Sequence, residues 1–159
     1  MINKNLKAFL DVIAFSEGTK DVGDDGYNVI VGGALFHDYE EHPNQRIFIK
    51  RLNIYSTAAG RFQILFHDWD VYRKQLDLEN KQKYQEGAFG KQAQIAIALQ
   101  MIGERHALAD IDAGRFDAAV GKCSRIWASL PGNAYGQREK PIGELKAAYI
   151  NYGGKAIIS

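Results

Sequence analysis

Leu6, Leu10 and Ile13 recur at steps of four and three near the start of the chain, and Glu17 extends the series by another four. That spacing predicts a helix over residues 5–17 with all four side chains on one face, widened by Phe9 and Ala14. Gly18 suits the left-handed position that ends such a helix. The period changes over residues 23–36, where the short β-branched run Tyr27-Asn28-Val29-Ile30-Val31, a Gly32-Gly33 turn and Ala34-Leu35-Phe36 predict a small β-hairpin. A polar loop over 38–44 follows, and Ile47 and Ile49 then alternate with Phe48 and Lys50 in a further strand. Phe62, Leu65, Trp69, Tyr72 and Leu76 return to steps of three and four, which predicts a helix with Trp69 in the core. Residues 93–99 are apolar nearly all round, the pattern of a central buried helix. Phe116, Ala119, Val120, Cys123, Ile126, Trp127 and Leu130 form another helical face, ended by Pro131-Gly132. A last helix begins near Pro141, with Ile142, Leu145, Tyr149 and Tyr152 expected inward. Helices around a small sheet make an α+β fold, read as one domain over residues 1–159.

Length and composition narrow the function classes. A chain of 159 residues buries about two-thirds of its unfolded surface, enough for a real core. With 20 basic and 19 acidic residues the formal charge is +1, so no basic excess points to nucleic acid. A local basic cluster at Arg46, Lys50 and Arg51 reads as a solvated strand face. Cys123 is the only cysteine, which excludes an internal disulfide and fits a reducing cytoplasm. The opening segment, broken by Lys7 and Asp11, lacks the apolar core of a signal peptide, and no stretch reaches the ~18 apolar residues of a membrane span.

Glu17 is the most informative polar residue. It continues a buried stripe and ends a helix, where desolvation and the helix dipole both raise a carboxyl pKa. A carboxyl still protonated near neutrality can donate a proton to a leaving glycosidic oxygen. Periodicity alone leaves open a helix-end glutamate turned to water. In the block from Thr57 to Gln63, small residues let a ligand approach the backbone, and Gln63 offers an amide to hydroxyl or N-acetyl groups; Ser56 or Thr57 serving as a helix cap explains the same residues. Tyr27, Tyr55 and the loop residue Tyr135 are candidate sugar platforms as well as packing residues. The histidines, His37, His42, His67 and His106, show no metal-ligand spacing and read as surface residues, so no metal or other cofactor is expected. Cys123, in a core stripe without a nearby His, is not expected to be a nucleophile.

Several ordered blocks resemble the bacteriophage lambda endolysin family of lysozyme-like lytic transglycosylases: Lys7-Ala8-Phe9-Leu10-Asp11 leading to Ser16-Glu17-Gly18-Thr19; Gly26-Tyr27-Asn28-Val29-Ile30-Val31-Gly32-Gly33; Ala59-Gly60-Arg61-Phe62-Gln63; and Trp127-Ala128-Ser129-Leu130-Pro131-Gly132 before Tyr135-Gly136-Gln137. They span nearly the whole chain. The resemblance implies a lysozyme-like fold with two lobes around a glycan-binding cleft, whose lips match residues 54–60 and 132–137. It implies Glu17 as the catalytic acid/base and a substrate-binding set of Tyr27, Tyr55, Ser56, Gly60, Arg61, Gln63, Tyr135 and Gln137. Asn28 departs from the family's aspartate, and residues 80–88 match poorly.

The activity implied is cleavage of the MurNAc–GlcNAc bond of bacterial peptidoglycan, closing a 1,6-anhydro ring without consuming water. A hydrolytic muramidase on the same fold, using Asp21, Asp24, Asp25 or Asp38 as a second carboxylate, is the alternative. A glycan-binding protein without turnover is a third, disfavoured by an acid on the buried stripe. The remaining expectations are a monomer without stable membrane association. It waits in the host cytoplasm, without a signal peptide, until a holin opens the way to the wall.

Overall fold

A computed structural model of the chain describes residues 2–132 and 139–157. It divides into two compact units, one built from residues 1–18 and 100–159 and the other from 19–99. The architecture is a mostly helical α+β fold.

In the first unit, α1 (Lys4–Glu17) opens on Asn3, whose side chain accepts the Leu6 N–H at 2.8 Å, and closes on Gly18 at φ 77°. Both ends therefore satisfy backbone groups that a bare helix leaves unpaired. Phe9, Val12, Ile13 and Ala14 are fully buried, and α1 packs against α4 (Leu108–Asp112) and α6 (Ile142–Asn151). The Phe116 ring at the start of α5 (Phe116–Cys123) meets Phe9 edge-on at 6.1 Å and Tyr149 at 4.6 Å. Asp110 of α4 is buried between Arg115 Nε (2.7 Å) and Lys122 Nζ (2.6 Å), which hold its carboxyl below the usual carboxylate range.

Two features of this unit differ from the sequence pattern. The helix expected to run on to Leu130 stops at Cys123, where Ser124 Oγ donates to the Gly121 carbonyl at 2.9 Å and competes with helical bonding. Trp127 and Leu130 stay buried, but in successive turns. Ile142, expected inward, is exposed because it is the first residue of α6.

The second unit holds β1 (Ile47–Ile49) and β2 (Ile54–Ser56), antiparallel with Phe48 opposite Tyr55. The hairpin expected over 27–36 is reduced to a single bridge, Val29 with Leu35, closed over Gly32 and Gly33 at φ 92° and 106°. Its extended residues also pair elsewhere: Ile30 bridges Ala59, and Val31 N–H donates to the Ala58 carbonyl at 2.9 Å. α2 (Phe66–Gln75) begins four residues later than the periodicity suggests. Ala59 and Ile64 exchange backbone bonds across the intervening turn, and Gln63 sits at φ 49°. Thr57 Oγ1 then accepts the Phe66 N–H at 3.0 Å, a cap supplied from nine residues away.

α3 (Lys91–Glu104) buries Ala93, Gln94, Ile97, Ala98, Met101 and Ile102 at helical spacing. His37, His67 and His106 are exposed as expected, but His42 is buried among Phe66, Trp69 and Phe89. Its Nδ1 accepts the Asn44 N–H, so Nε2 donates to the Ile64 carbonyl at 2.8 Å and the ring is neutral. Burial holds the pKa of His42 below its ordinary value. Among the described residues, no helix is long and apolar enough to cross a membrane.

Candidate active site

Glu17 is the last residue of α1 and half-buried, as its place on the apolar stripe requires. Burial pushes its carboxyl up to about 7, against a hydrogen bond from Ser129 that favours the charged form. The Ser16 hydroxyl donates to Ser129 Oγ at 2.7 Å, and Ser129 donates to Glu17 Oε1 at 3.1 Å. The two serines thus form a directed chain. Ser129 spends its one proton on Oε1, which leaves Oε2 as the oxygen to carry the carboxyl proton. Lys140 N–H fixes this turn further by donating to the Ser129 carbonyl at 3.1 Å. A carboxyl about half protonated at neutral pH, with one oxygen anchored, can act as acid and then as base.

The second unit gathers Tyr27, Gly60, Arg61 and Gln63 around a buried amide, Gln94. Gln94 Oε1 accepts the Arg61 N–H at 2.9 Å, and its Nε2 donates to the carbonyls of Tyr27 (2.9 Å) and Phe89 (2.8 Å). Gly60 lies at φ 81°, and a Cβ there would run into Gln94 Oε1. The buried Arg61 side chain turns inward. Its Nε donates to the Asp25 carbonyl at 3.0 Å, its Nη2 lies 3.3 Å from Asp25 Oδ2, and its guanidinium sits 5.5 Å from the Tyr27 ring centre. Thr19 Oγ1 donates to the Arg61 carbonyl at 2.6 Å. Arg61 therefore organises the loop rather than presenting charge to solvent. Gln63 Nε2 is likewise engaged by the carbonyls of Gly60 (2.9 Å) and Val29 (3.3 Å).

Tyr27 is half-buried with its ring edge-on to Phe62, whereas Tyr55 stands exposed on β2. Ser56, half-buried, accepts the Ala58 N–H at 3.1 Å. Tyr135 and Gln137 lie outside the described residues. Ser129, Gln94 and Thr19 escape a sequence reading: Ser129 is 112 positions from Glu17, and Gln94 sits in an apolar run that reads as plain core. Cys123 is buried, and burial pushes its thiol up to about 12.

Three aspartates of this unit are engaged. Asp24 takes the Tyr39 hydroxyl at 2.7 Å and Lys91 Nζ at 3.1 Å, which hold its carboxyl below the usual carboxylate range. Asp25 Oδ1 accepts the Asp21 N–H at 2.8 Å, and Asp38 Oδ1 accepts the Glu40 N–H at 2.9 Å. Asn28 braces the same turn by accepting the Asp24 N–H at 2.8 Å.

The chain matches the Endolysin family model over residues 7–156. It is 46% identical over 157 residues to the endolysin of Escherichia phage lambda, covering 96% of this chain and 94% of that one. To the endolysin of Escherichia phage P2 it is 41% identical over 165 residues, with the same coverage of 96% and 94%. Among solved structures, bacteriophage lambda lysozyme complexed with a chitohexasaccharide has a TM-score of 0.90 at 45% identity across 99% of both chains. Lysozyme from bacteriophage lambda has a TM-score of 0.86 at 43% identity over the same 99% of each.

Proposed function

The chain belongs to the endolysin family of peptidoglycan-cleaving enzymes, and from that premise we propose that it is a lytic transglycosylase with Glu17 as its single acid/base. The observation that carries the proposal is the Glu17 carboxyl, raised to about 7 by burial and held through one oxygen by Ser129. Protonated Glu17 delivers its proton to the oxygen between N-acetylmuramic acid and N-acetylglucosamine, and the C1–O bond breaks. The carboxylate so formed takes the proton of the muramic C6 hydroxyl, whose oxygen bonds to C1. Glu17 regains its proton and the product is a 1,6-anhydro sugar, with no water consumed.

A hydrolase on the same fold needs a second carboxylate to activate water. Asn28 in place of an acid, and the engagement of Asp24 and Asp25 by Tyr39, Lys91 and Arg61, favour the route without one. Tyr27, Tyr55, Ser56, Tyr135 and Gln137 are the residues assigned to sugar contact, with Gly60, Arg61 and Gln63 shaping the backbone they rest on. In the same proposal the enzyme is a monomer that reaches the wall through a lesion made by a holin. Glu17→Gln keeps the size and the Ser129 contact but removes the transferable proton. Turnover on purified peptidoglycan falls by about 10²–10⁴-fold or more, and a variant that clears walls at the parent rate refutes the assignment.

A further inference from the structure

Between Glu41 and Asp68 the sequence contains no acid, yet it holds four of the chain's 20 basic residues: Arg46, Lys50, Arg51 and Arg61. Arg61 is buried against Asp25. The other three stand exposed on the β1–β2 hairpin, and none has an ion-pair partner among the described residues. Several cations elsewhere sit beside acids, as Lys7 does with Asp11, Lys91 with Asp24 and Lys146 with Asp117. The hairpin thus concentrates positive charge in a protein whose total is only +1.

The strand register gives this charge a surface. Alternation places Arg46, Phe48 and Lys50 on one face of β1 and its flanks, with Tyr55 opposite Phe48 on β2. The Phe48 and Tyr55 rings lie 5.2 Å apart, and the Arg46 guanidinium sits 4.8 Å from the Tyr55 ring centre. Phe48 is 48% exposed and Tyr55 60%, so the platform faces solvent. Stacking on Tyr55 orders the Arg46 fork, whose N–H edge matches a carboxylate.

Resting on the peptidoglycan reading, we infer that this hairpin docks the enzyme on the free carboxylates of the wall's peptide stems. Glycan strands alone offer hydroxyl and amide groups; the stems supply the negative charge that complements three unpaired cations. Anionic lipid is the weaker match, since headgroup-binding clusters carry about 4–8 basic residues and this one carries three. The stems lie outside the bond that is cut, so the hairpin governs binding rather than chemistry.

The test uses soluble stem-bearing glycan fragments and the same fragments with their carboxylates amidated by carbodiimide and ammonia. Arg46→Gln/Lys50→Gln/Arg51→Gln, three solvent-exposed changes, raises KM on untreated fragments about tenfold at low salt and leaves kcat within about twofold. The difference vanishes on amidated fragments and in about 0.5 M salt. Equal KM for variant and parent on untreated fragments overturns the inference, and so does a penalty that persists after amidation. Parent but not variant co-sedimenting with phosphatidylglycerol vesicles, with KM unchanged, reassigns the hairpin to a lipid surface. If the parent turns over neither substrate the catalytic reading fails, and calorimetric affinity of each protein for the two fragment sets still decides the role of the hairpin.

Discussion

Glu17 experiences two opposed influences, burial that raises its carboxyl to about 7 and the Ser129 hydrogen bond that lowers it. The acid limb of catalysis needs the protonated form, so activity declines as pH rises through about 7. Ser129→Ala removes the lowering influence. The alkaline limb then moves to higher pH, a displacement that a purely structural defect does not produce; an unmoved limb in the pH–rate profile contradicts the arrangement. Stability follows the same residue. A carboxyl raised from 4.5 in the unfolded chain to about 7 in the native state supports folding fully below pH 4.5, and that support is lost between pH 4.5 and about 7. Glu17→Gln therefore matches the parent at pH 4 and exceeds it at pH 8 by about 3 kcal/mol, as read by denaturant titration at the two pH values. At this scale Glu17 was legible, because it falls on the apolar period of α1 and Gly18 marks the helix end. Ser129 was not, since a pairing 112 residues apart leaves no local trace.

At the scale of elements, the loop from Ala59 to Ile64 depends on a helix distant in sequence. Gln94 reaches from α3 to the Arg61 N–H and the Tyr27 carbonyl, and Gly60 is the residue that leaves room for it. Gly60→Ala adds a Cβ against Gln94 Oε1 and an unfavourable positive φ, and lowers stability by about 1–3 kcal/mol; a denaturation midpoint equal to the parent's contradicts this packing. The helical period located α1, α3 and α6, where burial on one face is continuous. It overran at α2 and α5, because apolar residues keep a spacing of three or four through the flanking turns. The hairpin over 27–36 was overestimated for a related reason. Val29 and Ile30 are buried and extended, but beyond the Ile30 N–H bond to the Ala34 carbonyl the pairing across Gly32-Gly33 stops, and Val31 N–H goes to Ala58 instead. His42 followed Glu40 and Glu41 in a polar stretch, and nothing local indicated the aromatic cage that neutralises it.

At the scale of the molecule, residues 19–99 form a compact unit inserted between α1 and the rest of the first unit. Glu17 with Ser16 and Ser129 belongs to the first unit, while Tyr27, Tyr55, Gly60, Arg61 and Gln63 belong to the second. The acid and three of the residues assigned to sugar contact, Tyr27, Tyr55 and Ser56, are thus encoded in separate compact units. The family blocks cross both, which is why they identify the fold better than any one local period does. The central claim concerns the reaction itself, and the mass of its products tests it most directly. Purified peptidoglycan digested by the protein, with Glu17→Gln as control, yields soluble fragments for mass spectrometry. The account predicts fragments one water lighter than hydrolysis products and without a reducing end; fully reducing muropeptides from the parent contradict it.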